Sequence, residues 1–252
     1  MMRFSVCIET IFTELPLHER IEQSAACGAG AVEFWTWRDK DPDELARAKE
    51  AAGVDVAAFA ALGEYRPNDP AAADETAAEL LDAIEAARQI GATGLIVRTE
   101  HTLEDVPRRE QLDALVSLLG AAAPAAERAH ATLLVEPLNR RADHPGALLS
   151  TTADALEVVD AVGQPNVKML FNVYHQYVTE GAVLASIESG IDRIGHVQVA
   201  DVPGRGEPGT GALDFREILN LIGSLDYDGF VGLEFFPSGD HAAAVRSVIE
   251  LA

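Results

Sequence analysis

Short runs rich in β-branched and apolar residues alternate with alanine-rich helical runs along the whole chain. Eight of these runs are strand candidates, and they begin near Arg3, Ala31, Val54, Gly94, Thr132, Val167, Ile194 and Gly229. Their near-continuous hydrophobicity is typical of parallel strands that are buried on both faces. Eight strands alternating with helices fit either a closed (β/α)8 barrel or an open doubly wound sheet.

Two features favour the closed barrel within the α/β class. The strand count is eight, and the length of 252 residues matches the typical size of a TIM barrel, about 250 residues. A dinucleotide-binding open sheet carries a G-x-G-x-x-G turn after a strand, whereas the glycine-rich run 204–211 follows the seventh strand with looser spacing. We therefore predict one (β/α)8 TIM barrel domain over residues 1–252, with the active site at the C-terminal ends of the strands.

Glycine and proline predict where several helices begin and end. Glycine just past a helix accepts a left-handed backbone conformation, and proline in the first turn loses no helical hydrogen bond. These signals predict a short helix before Gly190 and longer helices over 16–27, 42–52, 71–90 and 152–162. Asp214 and Asp240 are predicted to cap the N-termini of the last two helices.

The charge and cysteine content argue against several function classes. With 19 basic and 41 acidic residues the net charge is -22, which repels nucleic-acid phosphate and anionic membranes. Cys7 and Cys27 form no metal-binding spacing, so we expect reduced, packed thiols. The N-terminal apolar run is broken by Glu9, unlike a signal peptide, and no run approaches the ~18 residues of a membrane span. We expect a cytoplasmic protein with no nucleic-acid or membrane partner.

Each of the last four strands carries one polar side chain near its carboxyl end. Buried strands rarely hold such groups unless they are satisfied. Successive positions are 26 to 36 residues apart, about one βα unit, so barrel closure would bring them together: Glu136, Asn172, Gln198 and Glu234. Two carboxylates and two amide oxygens suit magnesium or manganese. Four such residues at matching depth favour one divalent metal ion over a polar layer without an ion.

Other polar residues near the strand ends are weaker candidates. His175, where a βα loop is expected to begin, could donate to a substrate or simply cap a helix or pack. Arg205 could clamp a carboxylate, although a surface ion pair with Glu207 is the commoner arrangement for such a loop residue. Glu9 and Glu33 are expected to be structural or acidic-rim groups. Trp35 and Trp37 fit the core or a pocket wall.

Several segments together resemble a known family. They are RFSVCIETIF, GAGAVEFW, LLVEPLN, FNVYHQ, IGHVQVADVPGRGEPGTG and GFVGLEFFP. The chain resembles the hydroxypyruvate isomerase group of the xylose-isomerase-like TIM barrels over nearly its whole length. The resemblance implies a divalent metal on the four strand-end residues, with Glu136 and Glu234 also acting as catalytic acid/base groups. It further implies that His175 and Arg205 contact the substrate.

Two positions depart from related patterns. The family usually has Asp where this chain has Asn172, so the site loses one negative charge and we expect weaker metal binding or a water in place of that ligand. Ala142 lacks the polar group that some sugar epimerases carry there, which disfavours a hexulose epimerase.

The strand-end residues and this resemblance together imply a metal-dependent aldose–ketose isomerase that interconverts a small hydroxy-ketone acid and its aldehyde isomer through an enediol, with hydroxypyruvate and tartronate semialdehyde as the family's example. The expected partner is a small hydroxy-carbonyl or sugar-like substrate. The alternatives are a keto-sugar 3-epimerase or keto-inositol isomerase, a nuclease of the same fold, and a barrel that lost turnover because of Asn172. A nuclease would need more histidine ligands and a surface that tolerates DNA. The sequence leaves a homo-oligomer open.

Overall fold

A computed structural model describes residues 2–63, 66–99 and 101–252. In these residues eight parallel strands pair in sequence order, and β8 pairs with β1 to close the barrel. The predicted (β/α)8 TIM barrel is therefore confirmed. The strands are β1 Arg3–Cys7, β2 Ala31–Phe34, β3 Asp55–Ala60, β4 Ala92–Arg98, β5 Thr132–Glu136, β6 Val167–Asn172, β7 Ile194–Val199 and β8 Phe230–Leu233.

The helices surround this barrel. They are α1 Leu17–Ala26, α2 Pro42–Ala52, α3 Ala73–Ile90, α4 Arg108–Arg128, α5 Thr152–Val162, α6 Val173–Thr179, α7 Val183–Gly190, α8 Phe215–Ser224 and α9 His241–Ile249. Short 3-10 turns lie at Pro70–Ala72 and Ile191–Arg193. Among the described helices, none combines the length and the apolar character that crossing a bilayer requires.

The predicted punctuation holds at most helix ends. Helices α2 and α5 have the predicted bounds, and Gly53, Gly91 and Gly163 adopt left-handed conformations after α2, α3 and α5. Asp214 and Asp240 accept hydrogen bonds from backbone N–H groups in the first turns of α8 and α9, as predicted. Helix α4 lacks these signals. Its proline, Pro124, lies in the helix interior, and its C-cap residue is Ala129 rather than a glycine.

The barrel interior is divided into an apolar and a polar part. Ala58, Ile96, Leu134 and Leu170 form a buried cluster on β3 to β6. On the other side Glu33 accepts hydrogen bonds from Ser5 Oγ at 2.7 Å and Gln198 Nε2 at 2.8 Å, and it pairs with His196 Nε2 at 2.8 Å. The interpretation of Glu33 as a structural group agrees with these contacts.

Two glycines make room for Leu134 inside the barrel. A Cβ atom on Gly94 would lie 2.7 Å from Leu134 Cδ1 and 2.8 Å from the Ala57 carbonyl oxygen. A Cβ atom on Gly195 would lie 2.8 Å from the other methyl group of Leu134. Since backbone cannot move as easily as a side-chain end, a larger residue at position 94 must displace strand β3.

We expect Gly94→Ala to lower the free energy of unfolding by about 1–3 kcal/mol, because it overpacks the barrel interior. Gly120→Ala in α4 is the matched control, since a Cβ there meets no atom within 4 Å. That variant should be as stable as the wild type or more stable by about 0.5–1 kcal/mol. Chemical denaturation of the three proteins measures the difference. Equal stability of the Gly94→Ala protein and the wild type would contradict the packing argument.

Candidate functional site

The four strand-end residues meet at the C-terminal mouth of the barrel. Each is at most 5% exposed. The side-chain nitrogen of Asn172 joins them, because it lies 2.9 Å from Gln198 Oε1, 3.0 Å from Glu234 Oε2 and 3.3 Å from Glu136 Oε1. The structure therefore brings the predicted residues together, while their roles as ligands or catalytic groups stay predictions.

The orientation of the Asn172 amide follows from its position before helix α6. Asn172 Oδ1 accepts a hydrogen bond from the backbone N–H of His175 at 3.3 Å, which makes Asn172 the N-cap of that helix. The NH2 group must then point toward the two carboxylates. The oxygens of Glu136, Gln198 and Glu234 are of the kind that a hard divalent ion binds, whereas Asn172 in this orientation presents N–H groups to those oxygens.

Glu234 is the most heavily bonded carboxylate of the site. Trp35 Nε1 donates to its Oε1 at 2.7 Å, and the Arg205 guanidinium pairs with its Oε2. Trp35 is therefore a wall of the site, as one of the two sequence interpretations held. Trp37 instead packs against Phe59 and donates to the Ala61 carbonyl.

Glu136 is a buried carboxyl group beside another carboxylate. Burial, together with the negative charge of Glu234, raises the pKa of Glu136 to about 7, although Arg98 and Arg205 act in the opposite direction. At neutral pH this carboxyl group is therefore divided between its protonated and ionised forms. A group with this pKa can both accept and donate a proton in the physiological range.

His175 lies in the first turn of α6 rather than in a loop, so the predicted loop start is wrong at this point. The helix forms because Asn172 caps it directly at the end of β6. The His175 ring is buried, and burial, followed by the positive charge of Arg205, holds its pKa well below the usual value. Its Nε2 faces Glu136 Oε1 at 4.0 Å.

Asn139 fixes the histidine ring and was not identified from the sequence. Its Oδ1 accepts from the backbone N–H groups of Ala142 and Asp143, so its Nδ2 is the atom that meets His175 Nδ1 at 2.6 Å. His175 Nδ1 is then an acceptor, and the neutral ring carries its proton on Nε2, toward Glu136. The signal in the sequence was a polar residue three positions beyond Glu136 in the segment LLVEPLN.

Arg205 enters the site from the loop after β7. The alternative interpretation of Arg205, a surface pair with Glu207, does not hold, because Arg205 pairs with Glu234. Glu207 instead accepts from the Ser238 backbone N–H at 3.0 Å and hydroxyl at 2.7 Å. Arg205 has φ of 57°, a left-handed conformation that costs energy for a residue with a side chain. Its Nε is buried without a hydrogen-bond acceptor among the described residues.

Asp201 organises the loop that carries Arg205. Its carboxylate is fully buried and accepts four backbone N–H groups, from Val202, Gly209, Gly211 and Leu213. A Cβ at Gly211 would clash with Asp201, so glycine is required there. Asp201 lies two residues beyond the end of β7, and its role depends on loop contacts that no local sequence pattern reveals.

The residues that were expected to be structural make structural contacts or are buried as free thiols. Glu9 accepts from the Trp35 backbone N–H and pairs with Lys40 Nζ at 2.5 Å. Cys7 and Cys27 are free and buried, as predicted. Burial raises the pKa of the Cys7 thiol well above its usual value, and the charges of Glu234 and Glu33 add to the effect. No group of three or more His, Cys, Asp or Glu side chains arranged for a metal occurs within 2–63, 66–99 and 101–252.

The chain is similar to known proteins over nearly its whole length. A family model described as a xylose isomerase-like TIM barrel matches residues 21–251. Hydroxypyruvate isomerase of Escherichia coli (strain K12) is 31% identical, with 98% of each chain covered. 2-Oxo-tetronate isomerase of Cupriavidus necator is also 31% identical, covering 97% of this chain and 96% of the relative. A crystal structure described as AP endonuclease, family 2, from Brucella melitensis has 28% identity and a TM-score of 0.92, covering 99% of both chains.

The raised pKa of Glu136 predicts a pH-dependent stability difference. Ionisation of this buried carboxyl destabilises the folded state as the pH rises from 4.5, and the full cost is present above about 7. The isosteric Glu136→Gln protein avoids that cost. We expect it to be more stable than the wild type by roughly 1–3 kcal/mol at pH 8, with the difference vanishing toward pH 4.5.

Urea denaturation across this pH range measures the effect. Glu22→Gln is the matched control, because it makes the same substitution at a position of α1 that is exposed to solvent. A Glu136→Gln protein that is less stable than the wild type at pH 8 would show that the ionised carboxylate is well stabilised in its pocket.

Proposed function

Since the chain belongs to the xylose isomerase-like TIM barrel family and, within it, to the hydroxypyruvate isomerase group, we propose that it interconverts a small hydroxy-ketone acid and its aldehyde isomer through an enediol. The isomerase class agrees with the names of both curated relatives. The observation that carries the proposal is the pair of buried carboxyl groups, Glu136 and Glu234, next to Arg205, whose buried Nε has no hydrogen-bond acceptor among the described residues.

The proposed reaction moves one proton between adjacent carbons. For hydroxypyruvate, a carboxylate removes a proton from the hydroxymethyl carbon, and the C–H electron pair forms the double bond of an enediol. The former carbonyl oxygen takes up the negative charge and then a proton. Return of a proton to the neighbouring carbon, with loss of the terminal hydroxyl proton, gives tartronate semialdehyde.

Glu136 and Glu234 are the proposed acid/base groups. The pKa of Glu136 is near 7, a value at which a carboxyl group can take a proton and return it within one cycle. Glu234 is held by Trp35 and Arg205, which fix its orientation beside the substrate. Two carboxyl groups that face one site allow the proton to leave one carbon and arrive at the next.

Arg205 and His175 are the proposed substrate-binding residues. Arg205 Nε is a buried donor without a hydrogen-bond acceptor among the described residues. A substrate carboxylate would supply that acceptor. His175 Nε2–H is directed toward Glu136 by the bond from Asn139 to the other ring nitrogen. A neutral imidazole in that orientation can donate to a carbonyl or hydroxyl oxygen of the substrate.

One divalent ion, magnesium or manganese, is proposed to bind the oxygens of Glu136, Gln198 and Glu234, and to bind them weakly because the Asn172 NH2 group lies among the same three oxygens. When bound, such an ion polarises the substrate carbonyl and stabilises the developing oxyanion. Oxygen ligands of this kind suit either cation.

A 2-oxo-tetronate is the second candidate substrate, because the Cupriavidus necator relative is named for it at 31% identity. It contains the same hydroxy-ketone unit with one further carbon. Epimerisation is less favoured, since L-ribulose 3-epimerase and a D-psicose 3-epimerase are only 22% and 18% identical and support the fold alone. A nuclease activity is disfavoured because the net charge of -22 repels the DNA backbone.

We expect Glu136→Gln and Glu234→Gln each to lower kcat/KM for isomerisation by about 100- to 10,000-fold, the range typical of a lost acid/base group. The assay follows hydroxypyruvate and 2-oxo-tetronate separately, with and without manganese. Glu22→Gln provides the matched control on the surface and should keep the wild-type rate.

Nuclear magnetic resonance of products formed in deuterated water identifies the reaction. An isomerase places deuterium on the former carbonyl carbon, which becomes the hydroxyl-bearing carbon of the product, whereas an epimerase exchanges the hydrogen of one carbon and leaves the carbonyl in place. Folded glutamine variants that retain the wild-type rate on the preferred substrate would refute the proposed roles. Exchange at one carbon without a change of the carbonyl position would refute isomerisation.

A further inference from the structure

We infer that the side-chain amide of Asn172 substitutes for a cation at the centre of this site, so that the wild-type protein binds divalent ions weakly and keeps its site assembled without one. The inference rests on the proposed function only in that an ion is expected there. It goes further because it assigns Asn172 the role of an internal competitor of the ion rather than that of a ligand.

The first observation is the convergence of acceptors on one nitrogen. Asn172 Nδ2 lies within 3.3 Å of three side-chain oxygens, which belong to Glu136, Gln198 and Glu234. Asn172 itself is 1% exposed, so bulk solvent does not reach its side chain. An N–H donor group surrounded by three oxygens from three strands occupies the point that an ion shared by the same oxygens would need.

The second observation is that turning the Asn172 amide by 180° would break the hydrogen bonds of both its oxygen and its nitrogen. Asn172 Oδ1 caps α6 through the backbone N–H of His175. Turning the amide would place its NH2 group against that N–H and its oxygen against the carboxylates. Helix α6 therefore holds the NH2 group in the centre of the site, and an ion must break the cap before Asn172 could offer an oxygen.

The third observation concerns charge. Arg205 already supplies a full positive charge to Glu234. The Asn172 amide directs its N–H dipoles toward oxygens of Glu136, Gln198 and Glu234, so the two carboxyl groups are partly compensated in the protein itself. An aspartate at position 172 would keep the cap with one oxygen and direct the other into the centre. That would create a third carboxylate and a strong demand for a cation.

Manganese binding to the wild type, Asn172→Asp and Asn172→Ser tests the inference directly. Titration with MnCl2, followed by the electron paramagnetic resonance of free manganese, gives the dissociation constants. We expect Asn172→Asp to bind at least tenfold more tightly than the wild type. Asn172→Ser, which removes the amide from the centre but keeps a capping hydroxyl, should also bind more tightly.

Thermal unfolding in EDTA and in 1 mM MnCl2 is the second readout. In EDTA, Asn172→Asp should have a lower melting temperature than the wild type. Manganese should raise the melting temperature of Asn172→Asp by more than it raises that of the wild type, which should change little. Asn220→Asp carries the same charge change on an exposed position of α8 and should behave as the wild type does. A variant that folds only with manganese would support the inference.

The inference would be overturned if the wild type bound manganese as tightly as Asn172→Asp does. It would also be overturned if neither variant bound manganese more tightly than the wild type. If Asn172→Asp does not fold, the serine variant decides in the same way. Because these measurements use no substrate, a protein that lacks isomerase activity but shows the expected binding order would refute the proposed function alone.

Discussion

The placement of two carboxyl groups in one buried pocket is the constraint on which the site depends. Glu136 and Glu234 are at most 5% exposed, and two negative charges at such a position repel each other strongly. The protein offsets this repulsion with the guanidinium of Arg205, the NH2 group of Asn172 and partial protonation of Glu136. Arg205, Asn172 and Glu136 lie on different strand ends or loops, so the closed barrel is required to bring them together.

Backbone structure and site chemistry share the same atoms in this protein. The oxygen that caps α6 fixes the orientation of the Asn172 amide. The Asn139 amide holds a turn with its oxygen and meets the His175 ring with its nitrogen. In the same way, Asp201 folds the loop after β7 and thereby places Arg205 in a left-handed conformation next to Glu234. Preorganisation of this kind keeps the polar groups in position before a substrate arrives.

The sequence predicts the scaffold and the members of the site, but not their orientation. Polar residues such as Glu136 and Gln198 stand out because strands buried on both faces are otherwise apolar. Glycine and proline locate α2 and α5, while α4 lacks such signals. The direction of the Asn172 amide, the partner of Arg205 and the role of Asn139 depend on contacts between distant segments, and periodicity and spacing carry no information about those contacts.

The chemistry proposed for Glu136 and the inference about Asn172 are physically connected. A carboxylate next to a bound divalent ion is strongly favoured in its ionised form, so its pKa falls and it holds no proton near neutral pH. An amide supplies only a dipole, which leaves burial and the charge of Glu234 free to raise the pKa of Glu136 to about 7. Asparagine at position 172 therefore favours a Glu136 that carries a proton, whereas aspartate with an ion would favour one that remains a ligand.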